Sequence, residues 1–209
     1  MQSKKRECDP MSARTTRIIL VISAFLTGLM MFVSVALIIS GRMQSPTVQV
    51  ASAIGGPFRL IDHNGNEVTD QSLKGRPFLV FFGFTHCPDV CPTALFDVSE
   101  VMRALGPDAD RTAALFVTVD PERDTQAKLK DYLSSFDPHL RGLTGDEKAL
   151  ADMQRAYRVY AKKVPLDGGD YTMDHTALVY LMDKEGRFVA PFNLKRPPEA
   201  AAADLRKYL

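Results

Sequence analysis

Cysteine and histidine are the residues of this 209-residue chain whose types and spacing could do chemistry. Cys87 and Cys91 lie in the segment GFTHCPDVCP and are separated by three residues. On a regular helix, residues four apart have Cβ atoms about 5–6 Å apart, whereas a disulfide prefers about 3.8 Å. Two thiolates that share a metal at ~2.3 Å place their sulfurs roughly 4 Å apart. The spacing therefore favours a metal site, and it leaves a disulfide open because Pro88 keeps the preceding loop from forming regular helix.

Two predicted elements position the cysteine pair. The apolar run Phe78–Phe84 predicts a strand buried on both faces, as in a parallel sheet. Residues Pro92–Leu105 follow with the apolar periodicity of a helix. Open α/β sheets place their ligand sites where such a strand passes to a helix. Because a helix N-terminus stabilises thiolate over thiol, we expect a lowered cysteine pKa there.

The remaining pattern predicts a thioredoxin-like α/β fold. The further predicted elements are a hairpin of Phe58–Asp62 and Glu67–Thr69, a buried strand Ala113–Val119, a helix Thr125–Phe136, a helix opened by a Thr144/Glu147 capping box and ending near Tyr157, a hairpin of Thr176–Met182 and Arg187–Pro191, and a last helix from the alanines at 200–203. This order predicts a mixed sheet flanked by helices, with an N-terminal hairpin extension. The segment Asp120–Asp124 is interpreted as a strand end, a turn and a helix cap.

A histidine completes the candidate site. His175 directly precedes the predicted strand Thr176–Met182, and in a thioredoxin-like sheet the loop entering that strand faces the cysteine helix. Two soft thiolates and one imidazole suit Cu(I), whereas a structural zinc site would need a fourth ligand. His86 ranks second, because neighbouring side chains point apart. His63, on a hairpin turn, and His139, in a loop, are interpreted as surface histidines.

An uncharged stretch of 23 residues, Ile18–Ser40, predicts one transmembrane helix. At ~1.5 Å per residue it reaches about 34 Å, enough for a hydrocarbon core of ~30 Å. Five Lys/Arg residues precede the stretch and only Arg42 follows it closely, so the positive-inside rule leaves the N-terminus in the cytoplasm. The alternative is a cleaved signal peptide, but its apolar core is usually shorter, and the motif Ala51-Ser52-Ala53 lies far beyond the run.

The predicted organisation has four parts: a cytoplasmic tail 1–17, an anchor 18–40, a tether 41–54 and a thioredoxin-like domain 55–209. Residues 1–54 carry six Lys/Arg and two acidic residues, whereas residues 55–209 carry 20 and 23. This mildly acidic body speaks against a nucleic-acid-binding protein. Three cysteines are too few for a disulfide-stapled mini-domain. The tail is short, so a bacterial inner membrane, with the domain in the periplasm, is favoured over the mitochondrial inner membrane.

The chain resembles the Sco/SenC family of membrane-anchored copper proteins. Three stretches carry the resemblance, in the right order: Phe84–Thr93 with both cysteines, Val119–Thr125, and Asp174–Thr176. Two positions depart from the family pattern. Gln126 stands where the family commonly has proline, and Phe84 where it often has tyrosine. Neither position is a candidate metal ligand.

The resemblance implies a metallochaperone that binds copper through Cys87, Cys91 and His175, and it leaves a thiol–disulfide reductase activity open. The metal would be Cu(I), with Cu(II) as a second state. The implied client is the binuclear copper A centre in subunit II of cytochrome c oxidase. The family has been assigned two roles there: handing over copper, and reducing the client's cysteines. An upstream copper donor or thiol reductant would be a further partner.

Three other functions remain open on the sequence. A membrane-anchored thiol–disulfide oxidoreductase would use Cys87 to attack and Cys91 to resolve, although such enzymes usually have two residues between their cysteines. A peroxidase of the peroxiredoxin kind is suggested by the fold alone. A binding module without metal or redox chemistry would leave the two cysteines as buried thiols.

Overall fold

The computed structural model describes residues 13–42 and 54–209; within the first range it describes the side chains of residues 17, 18 and 20–35. The chain divides into two compact units, Met1–Gln49 and Val50–Leu209. The first contains helix α1, Ala13–Arg42. Among the described residues, no helix is long and apolar enough to cross a membrane. The anchor over 18–40 therefore stays a prediction, and most of the predicted tail and tether lies outside the described residues.

Nine strands lie in the described part of the second unit, residues 54–209. In chain order they are β1 Arg59–Asp62, β2 Glu67–Thr69, β3 Phe78–Gly83, β4 Ala113–Thr118, β5 Leu140–Thr144, β6 Ala161–Pro165, β7 Tyr171–His175, β8 Val179–Met182 and β9 Phe188–Pro191. Seven of them form one sheet in the order β2-β1-β5-β4-β3-β8-β9, and β6 and β7 form a separate antiparallel pair. In the large sheet β3, β4 and β5 run parallel, and the other pairings are antiparallel.

Within residues 54–209, four α-helices accompany this sheet: α2 Val90–Leu105, α3 Gln126–Leu133, α4 Glu147–Ala156 and α5 Pro198–Arg206. The predicted apolar stripe of α2 is buried, through Leu95, Val98, Met102 and Leu105. The mixed sheet with flanking helices confirms the predicted thioredoxin-like fold, including its N-terminal hairpin of β1 and β2.

The central strands explain where the site lies. Every residue of β3 and of β4 is buried, as expected for continuous apolar strands covered on both faces. Their parallel register runs from Phe78 opposite Ala113 to Gly83 opposite Thr118. The two strands therefore end together, and the segments that follow them start at the same edge of the sheet.

The predicted elements were wrong around Thr144 and around His175, and β6 and β7 have no predicted counterpart. Thr144 does not cap α4, because it is the last residue of β5, a strand that was not predicted. The cap is Asp146, whose carboxylate accepts a hydrogen bond of 2.7 Å from the backbone N–H of Ala149. The strand predicted from Thr176 begins only at Val179, and His175 instead ends β7.

Two histidines outside the candidate site are half-buried and have polar partners. The Nδ1 atom of His63 accepts a hydrogen bond of 2.9 Å from the backbone N–H of Gly142 in β5. His139 lies 2.7 Å from a carboxylate oxygen of Asp137 and 3.1 Å from one of Asp110. Hydrogen bonds to these carboxylates, that of Asp137 above all, raise the pKa of His139, whereas burial lowers the pKa of His63. The two histidines therefore contribute to stability with opposite pH dependence.

We predict opposite pH profiles for His139→Gln and His63→Gln. The raised pKa of His139 gives a stabilisation that is complete below the unfolded value of about 6.5 and is lost as the pH rises through the folded pKa. The His139→Gln variant should therefore lose more stability at about pH 5.5 than at about pH 8.5. His63→Gln should lose less at the lower pH, because protonation of His63 disfavours the folded state. Urea unfolding of the full chain at both pH values measures this, and parallel profiles for the two variants would contradict it.

Candidate metal centre

The structure brings together all three predicted ligand residues. Cys87 lies in the loop after β3, Cys91 in the first turn of α2, and His175 at the end of β7. One ligand atom of each lies within 4.8 Å of the others. The Cys91 Sγ atom is 3.5 Å from His175 Nε2. The side chain of Cys87 is 9% exposed and that of Cys91 is 0% exposed, while His175 is partly buried.

The local sequence explains the placement of the two sulfurs. Pro92 occupies the first turn of α2, where its missing N–H costs nothing. The backbone N–H of Cys91 points at the Cys87 Sγ atom, at 3.4 Å. This contact satisfies one of the N–H groups that a helix N-terminus leaves without an intrahelical partner. The spacing of four residues thus lets one cysteine cap the helix that carries the other.

A glycine gives the second sulfur its space. A Cβ atom on Gly83 would lie 2.8 Å from the Cys91 Sγ atom and 2.7 Å from Cε2 of Phe116. The Sγ atom therefore packs directly on the backbone of β3, beside the ring of Phe116. Any larger residue at position 83 would occupy the space that holds the thiol.

Burial overturns one expectation about the cysteines. The sequence predicts a lowered cysteine pKa at the helix N-terminus, but burial raises the pKa of the Cys91 thiol far above its usual range. Interactions with Cys87 and with the Asp124 carboxylate act in the same direction. In the metal-free protein Cys91 is therefore a thiol at neutral pH, and a metal must displace its proton.

The imidazole is oriented for coordination. The Nδ1 atom of His175 lies 3.2 Å from the carbonyl oxygen of Thr176. A carbonyl only accepts hydrogen bonds, so this contact assigns the proton to Nδ1 and leaves the lone pair on Nε2, which faces Cys91. The ring packs edge-to-face against Phe84 and Phe81, with centroid distances of 5.7 and 6.1 Å. These contacts fix the direction of the free nitrogen.

The donor set fits a soft, low-coordinate metal ion. Within the described part of the chain, the group contains two sulfurs and one nitrogen and no fourth His, Cys or acidic ligand. Thiolate ligands suit both Cu(I) and zinc. A structural zinc site is almost always four-coordinate, so a set of three donors favours Cu(I). His86 is exposed and lies outside the group, with Nδ1 3.3 Å from the Thr85 hydroxyl.

Sequence reasoning missed two residues beside the site, Asp124 and Arg123. The Asp124 carboxylate is buried and contacts the loop that carries Cys87. The Arg123 guanidinium contacts Tyr171 in β7, the strand that carries His175. The segment was interpreted as a turn and a helix cap, and Thr125 does cap α3. One available signal was that charged residues directly follow a buried strand parallel to the strand before the cysteines.

Comparisons with known proteins agree with the motif resemblance. A family model described as SCO1/SenC matches residues 46–209. The chain is 39% identical over 155 residues to a SCO2-like protein of Rickettsia conorii, which covers 73% of this chain and 76% of that protein. It is 41% identical over 157 residues to the mitochondrial SCO1 homologue of Homo sapiens, which covers 72% of this chain and 51% of that protein.

A solved structure supports the same relationship. The structure of Bradyrhizobium japonicum ScoI with copper bound is 69% identical in sequence, with a TM-score of 0.74. The match covers 75% of this chain and 99% of that one. The resemblance inferred from the three sequence motifs is confirmed.

We predict that Gly83→Ala destabilises the folded unit by about 1–3 kcal/mol, because the added Cβ overpacks the space between Cys91 and Phe116. The measurement is urea unfolding of the reduced, metal-free full chain, followed by circular dichroism. An unchanged unfolding midpoint for Gly83→Ala would show that the sulfur does not need this space.

Proposed function

The chain belongs to the SCO1/SenC family, and from this premise we propose that it is a copper metallochaperone for cytochrome c oxidase. The observation that carries the proposal is the convergence of two cysteine sulfurs and one imidazole nitrogen within 4.8 Å. We assign Cys87 and Cys91 as thiolate ligands and His175 as the imidazole ligand. The copper-bound structures of the Bradyrhizobium japonicum and Arabidopsis thaliana relatives support this metal.

The geometry suits a protein that must release its copper. A three-coordinate ion has room for an incoming thiolate before any original ligand leaves, so the barrier to exchange stays low. Cys91 is fully buried, whereas Cys87 and His175 each retain some exposure. An acceptor cysteine would therefore approach from the side of these two ligands, and Cys91 would be the last ligand to dissociate from the copper ion.

The proposed client is the binuclear copper A centre in subunit II of cytochrome c oxidase. The protein would deliver copper there, or reduce the client's cysteines so that copper can enter. An upstream donor or reductant would reload it. A thiol–disulfide oxidoreductase is the second candidate function, favoured by one observation: both cysteines are free thiols whose ligand atoms lie within 4.8 Å.

We predict one tightly bound Cu(I) per chain, weakened about tenfold or more by His175→Ala and by Cys87→Ser, because each substitution removes a ligand. The measurement is anaerobic titration of the reduced full chain against a competing chelator. His139→Ala is the matched control, since this histidine lies outside the metal group and should leave the affinity unchanged. Cu(I) binding that is indifferent to His175 would end the three-ligand assignment and favour the oxidoreductase.

We further propose that residues 18–40 anchor the protein in a bacterial inner membrane, with the tail in the cytoplasm and the domain in the periplasm. Deletion of residues 1–41 should move the protein from the alkali-washed membrane pellet to the soluble fraction, because it removes the uncharged stretch. Deletion of residues 2–9 is the control and should leave the protein in the pellet. Full-length protein in the soluble fraction would contradict the anchor.

A further inference from the structure

The five-residue turn Asp120–Asp124, which follows β4, contacts both sides of the metal site. We infer that this turn positions the proposed metal ligands: Asp124 holds the loop that carries Cys87, and Arg123 holds the hairpin that carries His175. The inference rests on the proposed function, because it assigns roles toward the copper ion. It concerns residues outside the ligand set.

The first arm of the turn is the Asp124 carboxylate, which is 0% exposed. It accepts a hydrogen bond of 2.6 Å from the Thr85 hydroxyl and one of 3.1 Å from the Thr85 backbone N–H. The Thr118 hydroxyl at the end of β4 donates a third, at 2.7 Å. Thr85 lies two residues before Cys87, so these bonds join the metal-binding loop to the end of β4. Hydrogen bonds to a charged acceptor are roughly twice as strong as neutral ones.

The second arm is the Arg123 guanidinium. Asp120, whose side chain is 2% exposed, accepts a hydrogen bond from Arg123 Nε and another of 2.9 Å from the Tyr171 hydroxyl. Arg123 Nη1 donates to the Tyr171 carbonyl oxygen at 2.9 Å, and its Cζ atom lies 3.7 Å from the centre of the Tyr171 ring. Asp120 and Arg123 together thus contact the hydroxyl, the ring and the backbone of Tyr171.

The β6–β7 hairpin depends on these contacts because it lies outside the main sheet. In the described part of the chain, β6 and β7 pair with each other and with no strand of the seven-stranded sheet. An isolated two-stranded hairpin is at best marginally stable in water. Lys163 of β6 adds a further tie to the same turn, since its Nζ atom lies 2.7 Å from the Glu122 carboxylate and 3.9 Å from the centre of the Tyr171 ring.

The contacts of Arg123 affect the position of His175 in two ways. Tyr171 and His175 are the two ends of β7, about 13 Å apart along an extended strand, so a loose Tyr171 lets the strand pivot. The guanidinium carbon of Arg123 also lies 5.9 Å from the ring centre of Phe84, and that ring packs edge-to-face on His175 at 5.7 Å. One turn therefore sets the distance between the cysteine loop and the imidazole.

The test of the second arm is a double-mutant cycle between Arg123→Lys and His175→Ala. The lysine keeps a cation beside the buried Asp120 but loses the fork that reaches Tyr171. We expect Cu(I) affinity to fall about tenfold in the wild-type background. In the His175→Ala background the further fall should be under about twofold, because the contribution of the imidazole is already lost. Arg187→Lys, which perturbs an arginine–aspartate pair in the β8–β9 hairpin, is the matched control.

The first arm is tested by Asp124→Asn in the same way. Its effect should persist in the His175→Ala background and be several-fold smaller in the Cys87→Ser background, since it acts mainly through the cysteine loop. A readout without copper separates positioning from folding. In the reduced metal-free protein, Asp124→Asn should speed amide exchange at Thr85, and Arg123→Lys should shift the ring ¹⁵N resonances of His175, with thermal unfolding still cooperative.

The outcomes separate this inference from the proposed function. An equal loss of Cu(I) affinity for Arg123→Lys in the wild-type and His175→Ala backgrounds would overturn the role of Arg123. An equal loss for Asp124→Asn in the wild-type and Cys87→Ser backgrounds would overturn the role of Asp124. No loss for either variant would overturn both roles while the three-ligand site stands. A wild-type protein whose Cu(I) binding does not depend on His175 would instead overturn the proposed function. Unchanged Thr85 exchange together with unchanged His175 resonances would overturn the inference even if copper affinity fell.

Discussion

The parallel pairing of β3 with β4 is the constraint on which the metal site depends. Gly83 and Thr118 end the two strands opposite each other. The loop with Cys87 and the turn with Asp124 therefore start from neighbouring points of one sheet edge. Both strands are buried along their whole length, so neither can shift its register without exposing apolar side chains. The part of the site formed by these two segments is therefore held in place by the buried core.

Burial of the Cys91 sulfur connects this core to the chemistry. An uncompensated thiolate would be costly in a position that is 0% exposed and close to the Asp124 carboxylate, and the raised pKa of the thiol reflects that cost. A bound cation supplies the compensation, so the folded protein favours either a neutral thiol or a metal-bound thiolate. Metal binding and proton release are thus coupled at this residue, and the affinity for the metal must rise with pH.

The parts of this arrangement that could be predicted are those that leave a pattern of residue types among neighbouring positions of the sequence. The apolar runs of β3 and β4 and the stripe of α2 identify the core, and the spacing of the cysteines favours a metal site over a disulfide. β5 has only two buried leucines, Leu140 and Leu143, and β6 and β7 are largely polar because they pair outside the main sheet. His175 was therefore expected in the site but on a loop. The pKa of Cys91 depends on burial by residues far away in sequence, which no local pattern records.

The three proposed ligands lie on elements of unequal rigidity, and this inequality is suited to transfer of the copper ion. The cysteines belong to the strand–helix junction at the end of the buried strand β3, whereas His175 belongs to a hairpin attached through apolar packing and the side chains of one turn. We therefore expect the free energy needed to withdraw the imidazole to be smaller than that needed to separate the two sulfurs. Movement of the hairpin would leave the copper ion with two protein ligands and would open a coordination position for an incoming thiolate. Because Arg123 and Asp120 control that hairpin, they would set how tightly the copper is kept while the cysteines stay in place.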